Sequence, residues 1–235
     1  MKKVFDKITY IISTALFGIL ALFFIGVLIY SIQKNAVHIL NGCGLFTFDK
    51  GTYIGYVAGF VSYLTLIPLL MIPRIRHNHN WFMKFTHELT HTLVAVFCFA
   101  KIKEFVVKEK ECYVSYNAGP IGYVPITLSP YCIPIYTLML FPFRFAGVHK
   151  FMIIFDFLIA FTYAFHLHTF IKQTRFTQTD IQGCGYARSV TFISFVHLCI
   201  LSLIIATPNS GVLKALKRVF MEYPADLFTQ ITQWF

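Results

Sequence analysis

Residues 87–91 read His-Glu-Leu-Thr-His, two imidazoles four positions apart with a carboxyl beside the first. In a helix, residues four apart stand one turn above each other on the same face. His87 and His91 can therefore share one divalent metal ion, and Glu88 can reach a water on that ion. This is the donor set of zinc-dependent hydrolysis: imidazole nitrogens hold the ion, and a carboxylate takes the proton of its water. The five residues lie inside the apolar stretch 81–100, WFMKFTHELTHTLVAVFCFA. A carboxyl is costly in hydrocarbon, and ionisable groups retained there usually serve a function. The expected cofactor is Zn²⁺, with His87 and His91 as ligands and Glu88 as the general base.

Catalytic zinc takes three protein ligands and leaves a fourth position for water. The third must come from elsewhere in the chain, and residue type alone leaves several candidates. Asp180 leads, set among Gln178, Thr179 and Gln182 just before the last apolar stretch. His166 and His168 compete; two apart on a helix, they face nearly opposite sides, so only one of them can point at the metal. Asp156 sits within an apolar stretch and could bind metal, line a substrate path or bond a neighbouring helix. Glu222 lies in the amphipathic tail. His197 reads as a hydrogen-bonded packing residue, and His77 and His79 as exposed.

The elements that must position these groups read as membrane helices. The chain is 57% hydrophobic and 13% charged, with a mean hydropathy of +0.67; soluble domains carry about 25% charged residues. Its net charge of +10 lies in basic residues that flank apolar runs, which fits lipid headgroups and not nucleic acid. The expected fold class is an all-α integral membrane protein with about six transmembrane helices, near 8–32, 53–73, 81–100, 118–143, 150–171 and 189–207. The first run, about 25 residues, is longer than a signal-peptide core and reads as a retained helix. The fourth holds Pro120, Pro125, Pro130, Pro134 and Pro142, which predicts a kinked or re-entrant segment. Between the third and fourth, IKEFVVK and CYVSY flank the polar Glu109-Lys110-Glu111 and predict a short β-hairpin over 102–116. The chain divides into N-terminal helices (1–80), a core (81–206) and an amphipathic tail (207–235), which either lies on the membrane surface or packs on the bundle. Six scattered cysteines form no CxxC pair; a disulfide among Cys43, Cys112 and Cys184 is open but not required.

A membrane-embedded HExxH, then a hairpin, further apolar segments and a late Asp followed by Gly, resembles the site-2 protease family of intramembrane zinc metalloproteases over roughly residues 81–206. The resemblance implies a zinc metalloendopeptidase with His87, His91 and Asp180 on the metal and Glu88 as base. It further implies a hairpin that presents the substrate, and membrane-protein or membrane-peptide substrates cut within or next to their transmembrane segments. Thr179-Asp180-Ile181-Gln182-Gly183 departs from the family's Leu-Asp-Gly. Gly119-Pro120 is kept, while Leu128-Ser129-Pro130-Tyr131 stands where the family usually has an Asn. A bacterial cytoplasmic membrane is the expected location. Two other classes share the motif: a histidine-box di-iron oxygenase or desaturase, for which His87-x-x-x-His91 would be one box, and a non-catalytic membrane scaffold with a relict site.

Overall fold

The computed structural model describes residues 2–42, 53–108, 111–146, 151–208 and 211–233. Its elements run α1 (Lys2–Gly42), α2 (Ile54–Leu66), α3 (Pro73–Phe97), β1 (Lys101–Val107), β2 (Cys112–Asn117), α4 (Pro120–Cys132), α5 (Ile135–Ala146), α6 (Met152–Gln173), α7 (Thr179–Cys184), α8 (Tyr186–Ala206), α9 (Gly211–Lys217) and α10 (Tyr223–Thr232).

Among the described residues, four helices are long and apolar enough to cross a membrane. They are Asp6–Ala36 within α1, Ile54–Met71 (α2 with the short turn after it), α6 and α8. The shortest has 18 residues, about 27 Å of helix against a hydrocarbon core of about 30 Å. Of the about six expected spans four stand as such; the third departs from the expectation, and the fourth is bent, as its prolines predict. The third expected span is the second half of the 25-residue α3, which fails on polarity. Its first half carries Arg74, Arg76, His77, Asn78, His79 and Asn80, and the second adds Lys84 and the motif itself. The fourth expected span is α4 followed by α5, bent by 84°. The bend has a local cause: a residue before proline is driven out of the helical region, and Ile133, preceding Pro134, sits at φ −105°, ψ 105°. Counting the bent pair as one pass gives five.

The helices pack as α1 with α8, α2 with α6, α5 with α6, and α3 with α4; α4 also meets α7 and α8. Helix α2 approaches α6 through Gly55 and Gly59. A Cβ on Gly59 would stand 2.1 Å from the Phe157 carbonyl oxygen, and one on Gly55 2.8 Å from that of Ile153. Four-residue spacing puts both glycines on one face, the close-packing device of membrane helices. Outward, α1 exposes Ile8, Ile12, Leu16, Ile19 and Leu22, a surface suited to lipid and not to water.

Two charges inside the bundle satisfy each other. Arg144 of α5 and Asp156 of α6 are both buried and form an ion pair, Nε to Oδ1 at 2.5 Å.

The hairpin forms as expected: β1 and β2 pair antiparallel, Phe105 opposite Val114 and Val107 opposite Cys112, with an irregularity between Ile102 and Glu104. It packs on α3. The tail packs on the bundle by one face. Ala215, Val219 and Tyr223 join Phe24, Val27 and Tyr30 of α1 in a buried cluster, and the Tyr30 hydroxyl donates to Asp226. Cys112 and Cys184 are free thiols; Cys43 lies outside the described residues.

Candidate metal centre

The centre is assembled from two elements, α3 and α7. Helix α3 presents His87 and His91 one turn apart, their ring centroids 5.0 Å from each other. Helix α7 brings Asp180, whose Oδ2 lies 3.6 Å from Nε2 of each histidine. One ligand atom from each of the three falls within 4.8 Å of the others. A tetrahedral site with metal–ligand bonds of about 2.05 Å has ligand–ligand edges of about 3.4 Å, and the two histidine–Asp180 distances of 3.6 Å stand close to that. Two imidazoles and one carboxylate are also a chemically apt set for Zn²⁺, and three protein ligands leave a fourth position open.

Both imidazoles are held through Nδ1. Nδ1 of His87 donates to Oε1 of Gln173, the last residue of α6, at 3.1 Å. Nδ1 of His91 donates to the Ile126 carbonyl of α4 at 2.8 Å. With both Nδ1 atoms donating, both Nε2 lone pairs are left for a metal, the usual way a ligating histidine is oriented.

The Ile126 carbonyl is available because of a proline. In an α-helix it would accept from the N–H of residue 130, and Pro130 has none. His91 takes up the vacancy together with the Ser129 hydroxyl, which donates at 2.8 Å. A similar economy operates at the end of α4. The Tyr131 carbonyl, left over where the helix stops, accepts from Nε2 of His197 at 3.0 Å. The Tyr131 side chain reaches the centre itself: its hydroxyl donates to Asp180 Oδ2 at 3.0 Å, and its ring stands edge-on to His87.

Helix α7 is only six residues long and is fixed by its corner with α8. Gly185 turns that corner at φ +82°, a left-handed conformation natural to glycine, and a Cβ there would meet the Tyr10 ring at 2.5 Å. Arg188 Nε donates back to the Cys184 carbonyl, and its guanidinium lies over the Tyr10 ring. Burial alone would raise the Asp180 carboxyl, but the His87 and His91 imidazoles outweigh it and hold the group well below the usual carboxylate range. A metal ion there would take Asp180 as its carboxylate.

Glu88 is buried, 7% exposed, and its carboxyl lies within electrostatic reach of His87, His91 and Asp180. The side chains of His87 and His91 are 14% and 7% exposed, and that of Asp180 27%. The centre therefore opens to its surroundings on the Asp180 side. Tyr116 of the hairpin stands near His91, with ring centroids 6.5 Å apart, and its hydroxyl bonds Thr127.

The other candidate ligands sit elsewhere. Asp156 is committed to Arg144. Nδ1 of His168 and the Tyr63 hydroxyl bond at 2.7 Å, and the His168 ring stacks on that of His79. His166 lies beside His197, 5.5 Å between ring centroids. Glu222 pairs with Lys217 and Arg218 in the tail. Of the residues that orient the centre, Gln173 and Tyr131 carried no motif: Gln173 is a polar group just past an apolar stretch, and Tyr131 an amphipathic one in the middle of another. No protein-family model matches the chain, and no curated protein and no solved structure is significantly similar to it.

Proposed function

We propose that this protein is an integral-membrane zinc metalloendopeptidase, hydrolysing peptide bonds within or next to transmembrane segments of membrane proteins or peptides, in the manner of the site-2 protease family. Its expected location is a bacterial cytoplasmic membrane. The observation that carries the reading is the convergence of His87, His91 and Asp180 from α3 and α7 beside a buried Glu88. Sequence distance alone gives no reason for Asp180 to lie there.

Zinc bound by His87, His91 and Asp180 would supply a water of lowered pKa and polarise the peptide carbonyl. The chain's own groups do the rest. Glu88 accepts the proton of the attacking water and delivers it to the leaving amine. Gln173, the Ile126 carbonyl and Tyr131 hold the three ligands in place. A transmembrane helix hides its scissile carbonyl in its own hydrogen-bond ladder, so the substrate must unwind first. The hairpin, with Tyr116 near His91, offers strand edges to receive the unwound stretch.

The di-iron reading needs a second cluster of imidazoles at the centre. Among the described residues the group of three or more possible ligands is His87, His91 and Asp180.

The test is metal analysis of the detergent-purified protein beside Asp180→Ala and Glu88→Gln, paired with cleavage of a single-span membrane peptide. The expected result is about one zinc per chain, lost or weakened in Asp180→Ala. Glu88→Gln should keep the zinc and lose cleavage. Full cleavage by Glu88→Gln with zinc bound would overturn the mechanism, and a chain that takes up no metal would return it to the scaffold class.

A further inference from the structure

Beside the metal centre lies a small cavity of about 10 Å³, lined by Thr86, His87, Thr90, Thr162, His166 and Thr169 among others. That volume is about what one water needs. His166 is 6% exposed, and its Nε2 has no hydrogen-bond partner among the described residues. A buried polar atom without a partner is rare and demands one, the more so in hydrocarbon, where no bulk water reaches it.

The hydroxyls around it show what that partner must be. Thr86 donates to the Phe82 carbonyl, Thr90 to Thr86, Thr162 to Leu158 and Thr169 to Phe165, each within its own helix. A hydroxyl has one hydrogen and two lone pairs. Thr86 and Thr162 also meet the hydroxyls of Tyr136 and Thr137, at 3.1 and 3.0 Å; with their hydrogens spent on the backbone, what these threonines still offer is acceptor capacity. A guest that fits must therefore donate.

The position of the cavity says when it is used. On one side it touches His87. On the other it shares Tyr136, Thr162 and Phe165 with a large apolar groove of about 600 Å³, which Tyr63, Phe82 and Phe161 help to line. A chain lying in that groove and reaching for the metal centre passes the cavity. An unwinding helix frees backbone N–H groups, each costly in an apolar medium until it finds an acceptor.

We propose that this cavity is a built site for one hydrogen-bond donor, anchored by His166. Water occupies it at rest, and a backbone N–H of the unwound substrate replaces that water during the reaction. The water site stands on its own geometry; the substrate step rests on the proteolytic reading above. His166 is then a positioning residue that lowers the barrier to hydrolysis without touching the metal.

The test uses the full chain in lipid bilayers, with wild type, His166→Gln and His166→Phe compared. Water-edited solid-state NMR of histidine-labelled protein reads the first half, the probe being water alone. The expected result is rapid polarisation transfer from water to an imidazole signal that both variants lack. A dry His166 ring would overturn the site. The second half is read on the single-span peptide. His166→Phe is expected to lower kcat about tenfold, the worth of one hydrogen bond made in the transition state, with KM, zinc content and thermal midpoint unchanged. His166→Gln, which keeps an acceptor, should recover most of the loss. A wet ring with unaltered kcat in His166→Phe would overturn the substrate role. A wild type that binds water there but cleaves nothing would overturn the proteolytic reading and leave the water site standing.

Discussion

At the scale of single residues, the candidate centre depends on groups that are not among its three possible ligands. Asp180 is held by Tyr131, whose hydroxyl donates to the same oxygen that faces both histidines. His87 is held by Gln173. Groups that orient metal ligands typically contribute 10–100-fold in affinity. Tyr131→Phe keeps the ring against His87 and removes only the hydroxyl, so zinc affinity should fall by about tenfold with the fold intact. Gln173→Leu should act in the same direction through His87. Competition with a zinc-binding dye measures both; unchanged affinity in both variants would mean that the α3 pair and Asp180 need no such support. The sequence made His87, Glu88, His91 and Asp180 legible because each is an ionisable group in or beside an apolar run. It did not reveal Tyr131 or Gln173. A tyrosine within an apolar stretch and a glutamine just past one are common, and their partners lie 49 and 86 residues away.

At the scale of elements, the prolines of the fourth apolar segment were legible as a break, and their consequence was not. A pattern of prolines marks where N–H groups are missing; it does not say which side chain collects the carbonyls set free. Pro130 leaves the Ile126 carbonyl to His91 and Ser129, and those two donors fill both lone pairs of the oxygen. Pro130→Ala would restore a helical N–H that competes for it. The two effects of that change have opposite signs. Removing an interior proline favours the helix by up to about 3 kcal/mol, while the loosened His91 ring should weaken zinc binding by about tenfold. A thermal midpoint that rises while zinc affinity falls is the expected signature. A variant that gains stability and keeps its affinity would show that the ring is held by other contacts. The hairpin was legible from its β-branched and aromatic halves. The stretch 81–100 reads as apolar by itself, whereas α3 starts at Pro73, draws a run of basic and polar residues into the same helix, and so does not stand among the helices apolar enough to cross.

At the scale of the whole molecule, the question is why a membrane bundle carries a buried carboxylate that is not part of its metal centre. Asp156 looked functional from sequence, since a charge in hydrocarbon is retained for a reason. Its reason here is Arg144, carried by α5 at the last residue of the bent pair. The pair ties α5 to α6, and α6 in turn supplies Gln173 to the centre at its far end. A paired buried charge and an orphaned one differ sharply. Removing one partner of such a pair typically costs about 3–5 kcal/mol, whereas replacing both by apolar groups of similar volume is often neutral. Arg144→Met alone should therefore lower the thermal midpoint in detergent strongly, and Arg144→Met combined with Asp156→Leu should restore most of it. The combined variant should also keep its zinc, because neither residue reaches the ligands. Loss of zinc in a combined variant of normal stability would give Asp156 a part in the centre after all, whereas retention would make the pair a fastening of the bundle, separate from the chemistry it encloses.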